Sequence, residues 1–122
     1  MTIALVQHAV PPASTAVVDR GVRAVRTAAE AGADLVVFPE LSFAPVPGPT
    51  TEALAEAAAD TGVVVVFNLM ERDGGRTFDT SPVLDADGTL LGRTRMMHIT
   101  EYEQFHEQGY YAPGNTGAPV YD

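Results

Sequence analysis

Glu40 stands directly behind an unbroken apolar run, in the stretch LVVFPELSF over residues 35–43. A carboxylate in that position costs free energy unless something pairs with it or uses it. Held with its pKa near the working pH, it can move protons as a general base. The other residues with chemical potential are less organised. His8 and His106 have no partner at the spacing of a metal site, and no metal or cofactor is expected. His98 reads as a hydrogen-bonding residue at a strand end, and Asp79, in TFDTS, as a turn or loop hydrogen-bonding residue. The DADG of 85–88 is a hairpin turn; a calcium loop needs more spaced oxygen ligands. No cysteine occurs, which excludes disulfides, thiolate metal sites and a cysteine nucleophile within these 122 residues.

The elements that must position Glu40 follow from periodicity. IALVQ (3–7) reads as a short buried strand ended by Pro11 and Pro12. From Ser14, a plausible N-cap, to about Ala31, the spacing of Val17, Val18, Val22 and Val25 gives one apolar helical face. Asp19, Arg20, Arg23 and Arg26 take the other face, and Gly32 stops the helix. DLVVF (34–38) is the second strand, which makes a β–α–β unit with parallel strands. Ligands gather at the carboxyl ends of such strands, and Glu40 lies just past one.

FAPVPGP (43–49) then forms a rigid loop, and an Ala-rich helix over 50–61, capped by Thr50 or Thr51, presents a solvated acidic face up to Gly62. VVVVFNLM (63–70) reads as one buried strand, ERDGGR (71–76) as a turn, TFDTSPVL (77–84) and TLLGRTRM (89–96) as further strands of a meander. Residues 97–122 show no periodicity; Phe105, Tyr110 and Tyr111 argue for an ordered, packed loop. Met96 and Met97 read as packing residues.

The bulk composition narrows the partners. At 46% hydrophobic and 19% charged the chain is globular, and its length suits a single domain, 1–122. A net charge of −9 repels phosphate backbones and anionic membrane surfaces, so neither nucleic acid nor a membrane is an expected partner. The first ten residues lack a basic leader region, and no apolar stretch approaches the ~20 residues of a membrane span. A soluble, cytoplasmic protein is the expectation. A flavodoxin-like binding module is the weaker reading, because no Gly-rich phosphate loop follows either early strand.

In order, ALVQ, DLVVFPELSF, GPTTEALAEAAADTGVVVV, DADGTLLGRTRMMHI and FHEQGYYAPGNTGAPVYD resemble the first half of the carbon–nitrogen hydrolase (nitrilase) superfamily. The resemblance runs over essentially the whole chain. It implies an α/β fold, part of an α-β-β-α sandwich with a mixed sheet and helices on one face, and Glu–Lys–Cys chemistry on small amides, carbamoyl compounds or nitriles. Glu40 stands at the general-base position, and Glu107, in FHEQGYY, resembles a second, supporting glutamate. Two departures follow. Met96 occupies the lysine position and cannot donate a proton or stabilise an oxyanion; Arg93 or Arg95 would have to reach in, and strand alternation points Arg95 away. The nucleophilic cysteine of the family is missing. The expectation is a family member inactive as this chain, forming homo-oligomers or joining a complementing chain; a non-catalytic nitrilase-like binding or partner-assembly domain is the alternative.

Overall fold

The computed structural model describes residues 1–9, 16–43 and 50–121. The proposed Ser14 cap and most of the 43–49 loop lie outside them. The opening unit is strand β1 (Ile3–Leu5), helix α1 (Ala16–Glu30) and strand β2 (Leu35–Val37). Helix α2 (Thr50–Thr61) leads to β3 (Val64–Val66), and β1, β2 and β3 pair in parallel with Ile3, Leu35 and Val64 in register. Strands β4 (Leu69–Asp73), β5 (Arg76–Leu84) and β6 (Leu90–Arg95) complete a six-stranded mixed sheet. β5 is its hub: it runs antiparallel to β3 and β4 along one side and to β6 along the other.

The expected single strand over 63–70 is two strands, broken at Phe67–Asn68. The apolar run continues through Phe67, but the Asn68 carbonyl accepts the Phe43 N–H at 3.3 Å, which turns this backbone from its neighbouring strand towards the loop behind Glu40. The expected turn over 71–76 contracts to Gly74–Gly75, both at positive φ (55° and 77°), the two-residue hairpin that glycine permits. DADG is the expected hairpin turn, closed by Gly88 N–H to Asp85 C=O at 2.9 Å. The segment after 97 is not wholly irregular: β7 (Glu101–Tyr102) and β8 (Phe105–His106) form a small hairpin, followed by a 3₁₀ turn over Glu107–Gly109.

Both helices lie on one face of the sheet. Val17 and Val25 of α1, Leu54, Ala57 and Ala58 of α2, and Val36, Val65 and Leu84 of the sheet form one buried core. Because side chains alternate along a strand, the neighbouring positions face the other way: Ile3, Leu5, Leu35, Val37, Val64 and Val66 form an apolar face over which no helix of the described residues lies. Leu5 is 77% exposed and Ile3 49%. Phe43 locks the loop after β2 onto the core, edge-on to Phe38 and Phe67 with ring centroids 5.2 and 5.8 Å away. Its ring also lies so close to Gly21 of α1 that a Cβ there would meet it at 2.6 Å. Only glycine allows that approach.

Candidate functional site

Three elements supply carboxylates, Glu40, Asp79 and Glu107, and the last two disfavour the ionisation of the first. Glu40 is supplied by the loop after β2, and the next residue, Leu41, holds a left-handed conformation (φ 56°) unusual for a branched side chain. That conformation is fixed by Asn68, whose Oδ1 accepts the Leu41 N–H at 2.7 Å. The same Asn68 donates from Nδ2 to Asp79 Oδ1 at 2.6 Å and to Ser81 Oγ at 3.1 Å. One buried amide therefore ties the Glu40 loop to the middle of β5. Asp79 is 4% exposed, and its Oδ2 has no hydrogen-bond partner among the described residues.

Glu107 arrives from the 3₁₀ turn, which is anchored back on the sheet: Tyr111 N–H donates to the Glu107 carbonyl at 2.8 Å and Ala112 N–H to that of Thr77 on β5, also at 2.8 Å. Glu40 itself is exposed at the rim. Its pKa is nevertheless raised, first by desolvation, then by Asp79 and by the charge of Glu107. Burial, with the charges of Asp79, Glu107 and Glu40 among its neighbours, pushes the Tyr111 hydroxyl up to about 12, so it stays protonated over the physiological range.

No basic side chain among the described residues offsets those charges. Arg95 is buried on the opposite face of β6, where Nε and Nη2 grip both oxygens of Glu71 at 2.9 and 2.7 Å. Nη2 also reaches Asp73 at 2.8 Å, Nη1 donates to Asn115 at 2.9 Å, and the guanidinium lies 3.9 Å over the Phe78 ring. This grip, then the Thr80 hydroxyl and the charge of Arg93, holds Glu71 below the usual carboxylate range against its partial burial. Arg93 pairs with Glu71 at 3.2 Å. Neither arginine serves Glu40. Met96 N–H donates to the Asp79 carbonyl at 2.9 Å, which makes the two residues cross-strand neighbours with side chains on one face. The residue beside the orphaned Asp79 oxygen is thus a methionine.

The remaining expectations are corrected as follows. Asp79 is a buried mid-strand residue of β5 and not a loop residue; Asn68, which the sequence does not single out, and Tyr111, expected only as a packed aromatic, join it. His98 lies exposed just past the end of β6. His106 pairs with Glu101 at 2.8 Å on the small hairpin, and His8 Nδ1 donates to the Ala9 carbonyl. No group of three potential ligands fit to hold a metal ion occurs among the described residues.

Comparison with known proteins decides the descent of this arrangement: the pattern of the carbon–nitrogen hydrolase family matches residues 2–122. The chain belongs to that family. It is 28% identical to an omega-amidase of Xenopus tropicalis over 93% of this chain and 48% of that protein. To an N-carbamoylputrescine amidase of Solanum lycopersicum it is 29% identical, over 99% of this chain and 46% of that one. Its fold superimposes on an amidase from Nesterenkonia sp. with a TM-score of 0.82 at 26% identity, covering 98% of this chain and 50% of that structure. The chain spans about half the length of the curated relatives it matches. The mixed α/β architecture is that of these hydrolases, and no helix among the described residues is long and apolar enough to cross a membrane.

Proposed function

We propose that this chain is the glutamate-bearing half of a carbon–nitrogen hydrolase domain acting on small non-peptide substrates, amides or carbamoyl compounds foremost and nitriles by family, in a cytoplasmic setting. Glu40 is the general base and Glu107 its support. The observation that carries the reading is the clamp through Asn68, which sets an accessible carboxylate of raised pKa at the end of a parallel strand. In Glu–Lys–Cys chemistry such a base takes the thiol proton, the thiolate attacks the amide or carbamoyl carbon, the proton passes to the nitrogen that leaves, and water then cleaves the thioester to return the thiol. These 122 residues hold no thiol. Alone they are inactive, and the apolar sheet face calls for cover by a complementing chain or by a second copy.

The purified chain is expected to show no turnover above blank on a panel of amides, carbamoyl compounds and nitriles; hydrolysis that disappears in Glu40→Gln would overturn the inactivity. The related Nesterenkonia amidase has an active-site cysteine. Joined to the rest of that enzyme, the chain carrying Met96→Lys should hydrolyse amides, with activity falling at least ~100-fold in Glu40→Gln, the usual scale of a lost acid–base group. An unaffected Gln variant would refute the base assignment. Met96 beside Asp79 favours one second reading, a non-catalytic nitrilase-like binding or assembly domain, under which the hybrid stays inactive even with lysine at 96.

A further inference from the structure

Glu40 stands in a loop whose two feet are pinned to one stretch of backbone. On the way in, Phe38 N–H donates to the Val66 carbonyl at 2.9 Å; on the way out, Phe43 N–H donates to that of Asn68 at 3.3 Å. The Phe43 ring then enters the core against Phe38, Phe67 and Gly21. Between these feet the chain must reverse over Pro39–Ser42, and Leu41 does so at φ 56°. A branched residue keeps that conformation only where the surrounding bonds over-determine it. One such bond is that of the Leu41 N–H to Asn68. The other lies inside the turn: Ser42 Oγ donates to the Pro39 carbonyl at 2.5 Å. Among the described residues no backbone N–H bonds to that carbonyl. The hydroxyl therefore closes the turn where the backbone does not. Ser42 is 1% exposed, whereas Glu40, two residues before it, is exposed.

We propose that Ser42 is a positioning residue for Glu40: by closing the Pro39–Ser42 turn, its hydroxyl fixes where the carboxylate stands. Asn68 holds the turn from the sheet, and Ser42 holds it from within. Neither bond uses the Glu40 side chain, so the carboxylate is aimed through its backbone and stays free to exchange protons. This role rests on the reading of Glu40 as the base, but its test needs no turnover, so each can fail without the other.

Amide hydrogen exchange of the chain at neutral pH, wild type against Ser42→Ala, Ser42→Cys and Ser42→Thr, reads the turn. In Ser42→Ala the protection of the Leu41 N–H should fall about 10-fold or more relative to the core amides of β2 and β3, because the turn opens locally. The Phe38 N–H, whose bond to Val66 lies outside the turn, should change no more than those core amides. Carboxyl NMR titration of the same samples reads the consequence. Glu40 should titrate above the ordinary glutamate range in wild type and closer to it in Ser42→Ala, where the loosened carboxylate meets more water. Ser42→Thr keeps the hydroxyl and should restore both readings. If Ser42→Ala does not fold, Ser42→Cys decides, since it is close in size but only a weak donor, and it should move both readings in the same direction. A merely structural hydroxyl lowers the unfolding midpoint and moves neither reading. Leu41 exchange that tracks the core amides, or a Glu40 titration identical in wild type and the folded Ala or Cys variant, would overturn the proposal.

Discussion

Replacing Asn68 by alanine removes the one side chain that, among the described residues, joins the Glu40 loop to β5 by hydrogen bonds. Asn68 is 5% exposed, so water replaces little of what is lost. Its bond to Asp79 Oδ1 is short, 2.6 Å, and runs to a carboxylate that is itself buried. A hydrogen bond to a charged group contributes roughly 1.5–3 kcal/mol. The Leu41 N–H loses an acceptor at 2.7 Å, a neutral bond of about 1 kcal/mol, part of which water restores because Leu41 is only half-buried. The bond to Ser81 at 3.1 Å is long and adds little. Together the cost is about 3 kcal/mol, a large share of the ~5–15 kcal/mol that holds a domain folded. Urea unfolding of both proteins measures it as a lower midpoint at unchanged m-value. Asn68→Asp should be worse at neutral pH, since it adds a carboxylate against Asp79, and should recover towards the alanine variant in acid. A loss below ~1 kcal/mol in Asn68→Ala, or an aspartate variant as stable as wild type at pH 7, would show that the clamp does not hold the loop.

Two further outcomes follow from the same geometry. Glu40 has its pKa raised in the folded state by desolvation, Asp79 and Glu107, so its charged form disfavours folding: the penalty is absent below the unfolded-state pKa, grows as pH rises through it, and levels off above the folded value. Glu40→Gln should therefore unfold at higher urea than wild type at pH 7 and at nearly the same urea at pH 3; a less stable Gln variant at pH 7 would mean that a cation reaches Glu40. The uncovered sheet face should drive association, so sedimentation at tens of micromolar should show species larger than monomer, reduced when Leu5, 77% exposed, is changed to lysine; a monodisperse wild-type monomer would refute this.

The β–α–β opening and the placement of Glu40 at a strand end were legible in the sequence because they rest on local periodicity: valines at helical spacing, a solid apolar run, then Pro39 and a charge. What was not legible depends on pairings distant in sequence. Asn68 sits inside an apolar run, and only its contacts with Leu41 and Asp79, 27 and 11 residues away, reveal a clamp in place of a strand interior. Asp79 looked like loop chemistry because its neighbours Thr77, Thr80 and Ser81 are polar, whereas on β5 those hydroxyl positions lie within the sheet. Tyr111 was visible as a packed aromatic, but its place among the carboxylates is set by the return of residues 107–112 onto Thr77.

The charge state of the site turns on one step of strand alternation. Arg95 pairs with Thr80 across the β5–β6 ladder, and its guanidinium therefore meets Glu71 and Asp73 on the face that also carries Phe78. Met96, one position on, stands opposite Asp79 and faces the carboxylates. The segment 114–116 holds this register along the edge of β6 away from β5: Thr116 Oγ1 accepts the Arg95 N–H at 2.8 Å, and Gly114, where a Cβ would meet the Arg95 carbonyl oxygen at 2.4 Å, lies flat against this backbone. A one-residue slip of β6 would exchange the two faces, carrying an arginine to Asp79 and stripping Glu71 of its partner. Gly114 and Thr116 therefore matter to the site without touching it, because they keep the single buried cation of β6 on the face away from Glu40.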